Sequence, residues 1–302
     1  MSFESLVEVG TLRDLLGKAS VDLAVVDCRF DLMNPNAARQ SYREAHIPGA
    51  RYADLNRDLS APVTEKTGRH PLPDPAKFAA LLARLGVHKG VQVIAYDSSG
   101  GAFAARLWWM LCAWGHVAVA VLDGGYPAWI AAGGATLAGD EPAATGPILP
   151  PPIAEWPVVS TADVVERLHD TQNLLVDARA PERFSGSVEP IDTVAGHVPG
   201  AVNHPFSTNL GADGRFLPAS ELRRLWQSRL GRSDPQHLVA MCGSGVTACH
   251  NLLGLAVAGI TGARLYAGSW SEWIRDPHRP IETGTEARGG QPRGGQPRGD
   301  AA

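Results

Sequence analysis

The sequence predicts an α/β protein made of two copies of one unit, each a mainly parallel sheet covered by helices on both faces. Three observations carry this. First, the chain repeats itself at an offset of roughly 145–150 positions. "LAVVDCR" at 23–29 answers to "NLLVDAR" at 173–179, and "AHIPGA" at 45–50 to "GHVPGA" at 196–201. "VQVIAYDSSGG" then answers to "HLVAMCGSGV", and "LDGGYPAW" at 122–129 to "YAGSWSEW" at 266–273. Second, short apolar runs bounded by Asp or Gly alternate with amphipathic stretches, the rhythm of parallel strands joined by helices. Third, 302 residues exceed the usual size of one domain, ~100–150 residues.

The elements follow in order. In the first unit "LAVVD" reads as a strand and "PAKFAALLARLG" at 75–86 as an amphipathic helix. "VIAY" is the next strand, and it runs through the loop "DSSGG" into the helix "AFAARLWWML". The stretch "AGDEPAATGPILPPPIAEWP" at 138–157 has the Pro, Gly and Ala content of an extended, fairly stiff linker. In the second unit "NLLVD" is a strand, "ASELRRLWQSRLG" at 219–231 a helix and "HLVAM" a strand, which meets the loop "CGSG" and the helix "VTACHNLLGLAVAG". We therefore expect a first domain at 1–140, a linker at 141–157 and a second domain at 158–283. The residues 284–302, with their "RGGQP" repeat, are expected to form a disordered tail because they carry nothing to bury. Three arginines without interleaved aromatics fit a solvated tail better than an RNA-binding one.

Composition narrows the function. A formal net charge of -4, with 44% hydrophobic and 19% charged residues, gives no basic excess to attract nucleic acid or anionic lipid. The opening "MSFESLVEVG" lacks a basic region followed by an apolar one, and no apolar stretch approaches the ~20 residues of a membrane span, so a cytoplasmic location is expected. Cys28, Cys112, Cys242 and Cys249 form neither a close pair nor a cluster with histidine. No disulfide framework, metal site or cofactor is expected, and the thiols should be reduced.

Residues shared by the two copies serve the fold, and residues found in one copy are candidates for chemistry. Asp27 and Asp177, Arg29 and Arg179, and His46 and His197 are shared, so we read them as structural. Cys242 is unshared; the first copy has Asp97 in its place. The cysteine stands outside the carboxyl end of a strand, where open α/β sheets bind ligands. The loop Gly243, Ser244, Gly245, Val246 and Thr247 wraps from it into a helix start, so that backbone N–H groups converge on one point. Such a nest, backed by the positive end of a helix, stabilises a thiolate or an anion attached to its sulfur. Cys242 is therefore the candidate nucleophile. Cys249 falls on the stripe Val246, Cys249, Leu253, Ala256 and Val257 and reads as core.

Over residues 5 to 283 this arrangement resembles the rhodanese family of sulfurtransferases in its tandem form, in which an inactive copy precedes a copy whose loop cysteine carries a persulfide. The loop "CGSGVT", with "HNLL" after it and "DARAPERF" before it, is similar to the branch that uses 3-mercaptopyruvate. The resemblance implies a double displacement, in which sulfur passes from the donor to Cys242 and then to a thiol, cyanide or thioredoxin-like acceptor. It implies that Arg183 binds the anionic end of the donor, that Gly243, Gly245, Val246 and Thr247 line the substrate, and that His70 relays protons with Ser244. Two positions depart from the family. Asn56 stands where the relay has an acidic residue, and Ile191 where a second substrate arginine usually follows "EP". The alternative donor is thiosulfate, although the family's thiosulfate branch places cationic residues after the cysteine, where this chain has Gly243 and Ser244. Phosphatases that share the sheet and the cysteine need an arginine six residues after it; that position is Ala248. A non-catalytic sulfur carrier would need neither Arg183 nor His70.

Overall fold

The computed structural model describes residues 2–285 apart from 19, 145, 147, 149, 154, 169 and 171. The expected disordered tail lies outside the described residues from 286 onward. In the first unit β1 (Leu6–Val7), β2 (Leu23–Asp27), β3 (Arg51–Tyr52), β4 (Gln92–Tyr96) and β5 (Val119–Leu122) form one sheet in the order β1-β5-β4-β2-β3. Every pairing is parallel. The helices are α1 (Val9–Leu16), α2 (Pro35–Glu44), α3 (Pro75–Leu85), α4 (Ala104–Ala113) and α5 (Gly125–Ala131). The second unit has α6 (Thr161–Glu166), β6 (Leu174–Asp177), α7 (Pro181–Ser185), β7 (Val202–Asn203), α8 (Ala219–Leu230), β8 (Leu238–Met241), α9 (Thr247–Val257), β9 (Arg264–Leu265) and α10 (Ser269–Trp273). Its strands run β7-β6-β8-β9, again parallel, and Val158 bridges Leu265 where β1 would meet β5. The repeat in the sequence is thus a repeat in topology.

Apolar runs without alternation are what a sheet buried on both faces requires. Ala24, Val26, Val93, Ala95, Val119 and Val121 point into one core, while Val25, Ile94, Ala120 and Leu122 point into another with Leu12 and Trp129. Because side chains alternate across a strand, both faces of β2, β4 and β5 are covered. The first of these cores does not stop at the unit boundary. Leu107 and Met110 of α4 share it with Ala248, Leu252 and Leu253 of α9, so equivalent helices of the two copies pack face to face. At one end of this seam the His250 ring bonds Gly100 O at 3.0 Å. Burying apolar helix faces against each other stabilises docking by roughly 25 cal/mol per Å² removed from water, so the two units form one body.

The stretch expected as a linker is docked along the first unit. Trp156 donates to Pro73 O at 2.7 Å and meets the ring of Phe78 edge-on, while Arg51 donates to Pro142 O at 2.9 Å. No helix among the described residues is long and apolar enough to cross a membrane.

Candidate active site

The shared residues brace the strand ends. Arg29 donates from Nε and Nη2 to Asp27 and on to Ala45 O, and Arg179 makes the same bonds to Asp177 and Gly196 O. Each pair is buried and ties the tip of a central strand to the His-Pro-Gly turn. The second copy then builds the cysteine loop on this frame.

Cys242 is the residue after β8, and only 2% of its surface is exposed. Its Sγ accepts the N–H of Ser244 at 3.4 Å and of Gly245 at 3.1 Å. Val246 and Thr247 open α9 directly behind, so the positive end of the helix faces the loop. Two glycines permit the curl. Gly245 has φ +76°, and a Cβ on it would stand 2.4 Å from Ala267 O. A Cβ on Gly243 would stand 2.8 Å from an Arg69 nitrogen.

Ser269 holds the other side. Its Oγ accepts the N–H of Cys242 at 3.1 Å and donates to Tyr266 O at 2.9 Å. It does so at φ +55°, a conformation costly for a residue with a Cβ. The first copy places Gly125, φ +59°, at the equivalent position, because a Cβ there would stand 2.2 Å from Asp97 O. The second copy trades glycine for a hydroxyl beside the cysteine.

His70 comes from the first unit. Its Nδ1 lies 2.7 Å from Ser244 Oγ and its Nε2 lies 3.1 Å from Asn56 Oδ1. With the Asn56 amide oxygen accepting, the proton sits on Nε2, so Nδ1 is free to accept from the Ser244 hydroxyl. Burial, together with the cations of Arg106 and Arg69, pushes the imidazole down to about 3. The ring is neutral at physiological pH, and without a carboxylate behind it nothing favours its charged form.

Arg183 lies on α7. Its Nε donates to both Glu189 carboxylate oxygens at 3.0 and 3.1 Å, and Nη2 donates to Asp192 at 2.9 Å. Burial opposes the charge on Glu189, but the N–H groups of Asp192 and Ile191 and the Arg183 guanidinium outweigh it and hold the carboxyl low. Asp192 also pairs with Arg69 of the first unit. Arg183 and Arg69 both overlie Gly243, next to the cysteine, with Arg183 nitrogens 3.5 Å from where its Cβ would be. Arg69, from the first unit, is thus a second guanidinium beside the cysteine loop. Ile191 instead lines a cleft of about 360 Å³ together with Phe30, Met33, Val63, Arg69 and His70.

The other thiols are ill-suited to react. Burial pushes Cys249 and Cys112 up to about 12 and Cys28 well above the usual thiol range. Cys249 is fully buried and donates to Gly245 O at 3.3 Å. Sequence reasoning singled out Cys242, Ser244, His70 and Arg183, which the fold brings together; it missed Arg69, Ser269 and Arg106. Arg69 is the neighbour of His70 in "TGRHPLP", and Ser269 stands where the first copy has Gly125, a signal that could have pointed to it.

Sheet order, cysteine loop and inter-unit seam together define a tandem α/β fold with a cysteine loop in its second copy, and known proteins share it. Residues 8–132 and 160–276 each match the rhodanese-like domain, and the chain belongs to the rhodanese family. It is 51% identical over 265 residues to a probable 3-mercaptopyruvate sulfurtransferase of Pseudomonas aeruginosa, covering 87% of this chain and 93% of that one. It is 38% identical over 286 residues to a putative thiosulfate sulfurtransferase of Mycobacterium tuberculosis, covering 91% and 96%. The solved structure of 3-mercaptopyruvate sulfurtransferase from Leishmania major superimposes with a TM-score of 0.78 at 31% identity, over 89% of this chain and 74% of that one. The chain is a sulfurtransferase, with a sulfur donor and a sulfur acceptor as its substrates.

Proposed function

We propose that the enzyme moves a sulfane sulfur from 3-mercaptopyruvate to a thiol, cyanide or thioredoxin-like acceptor through a persulfide on Cys242. The observation that carries this reading is the pairing of a neutral loop with two guanidiniums: Gly243 and Ser244 follow the cysteine, and Arg183 and Arg69 lie over Gly243. A planar guanidinium suits a carboxylate, and neutral N–H and hydroxyl donors suit a ketone. The boundaries 1–140 and 158–283 divide the labour, with His70 and Arg69 reaching into the second domain's loop.

In the first half-reaction the Cys242 thiolate attacks the donor sulfur, the carbon–sulfur bond breaks, and its electron pair leaves on the pyruvate enolate. The thiol proton of the donor ends on the pyruvate methyl carbon, leaving a persulfide anion on Cys242. Ser244 and His70 form the path for that proton. Because the imidazole is held so far down, the pair acts as a hydrogen-bond chain during the transfer rather than as a store for the proton. The N–H groups of Ser244 and Gly245 then hold the negative sulfur. In the second half-reaction an acceptor thiolate or cyanide attacks the outer sulfur, and Cys242 leaves as thiolate.

Thiosulfate is the second reading, supported by two cations that could also meet a dianion. Steady-state kinetics with both donors tests the choice. The specificity constant for 3-mercaptopyruvate, read as pyruvate release, is expected to exceed that for thiosulfate. The reverse order would make thiosulfate the donor.

A further inference from the structure

Arg106 of α4 is 0% exposed, and no ion pair to a carboxylate is found for it among the described residues. A buried cation is costly unless something compensates it. Its fork is used on two carbonyls: Nη1 donates to Gly245 O at 3.1 Å and Nη2 to His70 O at 2.9 Å, while Nε has no partner. One of those carbonyls belongs to the cysteine loop of the second unit and the other to the histidine of the first. Burial works against the Arg106 charge, and the groups that offset it are the Cys249 thiol first and the Cys242 thiol after it.

Cys249 is a poor anion, since burial pushes its thiol up to about 12 and it donates to Gly245 O. Cys242 has N–H donors aimed at its sulfur. The other charged groups near Cys242 come nearly in balance: Arg183 and Arg69 are matched by Glu189 and Asp192, and His70 is neutral. Arg106 is the charge left over.

We propose that Arg106, contributed by the first unit, is a positioning residue for sulfur transfer, the buried counter-cation of the Cys242 thiolate and persulfide that also fixes Gly245 and His70 in register. This rests on Cys242 as the sulfur carrier. Pinning the Gly245 carbonyl fixes the turn whose N–H points at Sγ, so one guanidinium serves both geometry and charge. It also gives the first unit, which lacks a cysteine in its loop, a direct part in the chemistry of the second.

The test uses the full chain with Arg106→Met, which removes the charge at similar length, and Arg106→Lys, which keeps the charge and loses the fork. The rate of Cys242 alkylation by iodoacetamide is followed from pH 5 to 10 by peptide mass mapping, beside circular dichroism and thermal melting. In Arg106→Met the midpoint is expected to rise by about one pH unit or more, a tenfold loss of thiolate on the acid side. Arg106→Lys is expected to keep the wild-type midpoint while kcat falls. A folded Arg106→Met with an unshifted midpoint overturns the assignment. If that variant does not fold, an Arg106→Lys midpoint raised by one unit overturns it instead. Wild-type protein that takes up no sulfur at Cys242 would overturn the functional reading itself, which separates the two failures.

Discussion

Asp97 and Cys242 stand at the same place in the two copies, one residue beyond Tyr96 and Met241, which pair with Asp27 and Asp177 on the neighbouring strand. The Asp97 carboxylate fills its own loop. Oδ1 accepts the N–H of Ser99 and Gly101 at 2.7 and 2.9 Å, and Oδ2 accepts those of Phe103 and Ala104, both at 2.8 Å. Burial pushes this carboxyl up in spite of its four donors. Both loops are anion cradles, and in the first the anion is built into the chain. In the second the same place holds the shorter Cys242 side chain, whose Sγ accepts two N–H groups.

Asp97→Asn is therefore expected to be a stability variant and not an activity variant. An amide turns its NH₂ toward two backbone donors, leaving them buried and unpaired at a cost of about 2–4 kcal/mol. The melting temperature should fall by roughly 5–10 °C, with sulfur loading of Cys242 at 25 °C retained. Unchanged melting would show that the four bonds are not holding the loop.

Removing either guanidinium should weaken the donor site, beside the stability lost when Glu189 or Asp192 is left without its partner. Arg69→Ala and Arg183→Ala each lose a charged hydrogen-bond partner, about 1.5–3 kcal/mol, so kcat/KM for 3-mercaptopyruvate should drop about ten- to a hundredfold. Ile191→Arg is expected to give no gain, because Arg69 already lines the same cleft and a third cation would repel it. A clear gain from Ile191→Arg would show that Arg69 is not the second anion partner.

Acid should destabilise the fold before carboxylates titrate. Burial pushes His70 down to about 3 and His204 and His250 down to about 4. An unfolded imidazole takes a proton near pH 6.5, so below that pH the unfolded chain binds more protons than the folded one. Stability is then full above about pH 6.5 and is lost progressively towards pH 4. Melting temperatures at pH 7.5 and 5.0 are expected to show the drop, with a shallower slope in His204→Gln. A flat profile would mean that these rings protonate in place.

The repeat made most of this legible in the sequence. Strands, helices and the odd cysteine could be read from comparison of the two halves, because local pattern and internal duplication both lie along the chain. Arg69 and Arg106 could not. Their partners, Asp192 and Gly245, are 123 and 139 residues away and come near only when α4 docks on α9. Such contacts leave no periodicity. Ile191 was legible as a missing arginine, but that Arg69 of the other unit lines the same cleft was not. Asn56 was legible as a departure, but its effect needed the geometry, which places its amide oxygen on His70 Nε2.

The central claim is that Cys242, and no other thiol, carries the sulfur. Incubation with 3-mercaptopyruvate without acceptor, followed by intact mass and peptide mapping under non-reducing conditions, tests it directly. A gain of about 32 Da, one sulfur, is expected on Cys242 and absent from Cys242→Ser. The same gain on Cys249, or its persistence in Cys242→Ser, would contradict it.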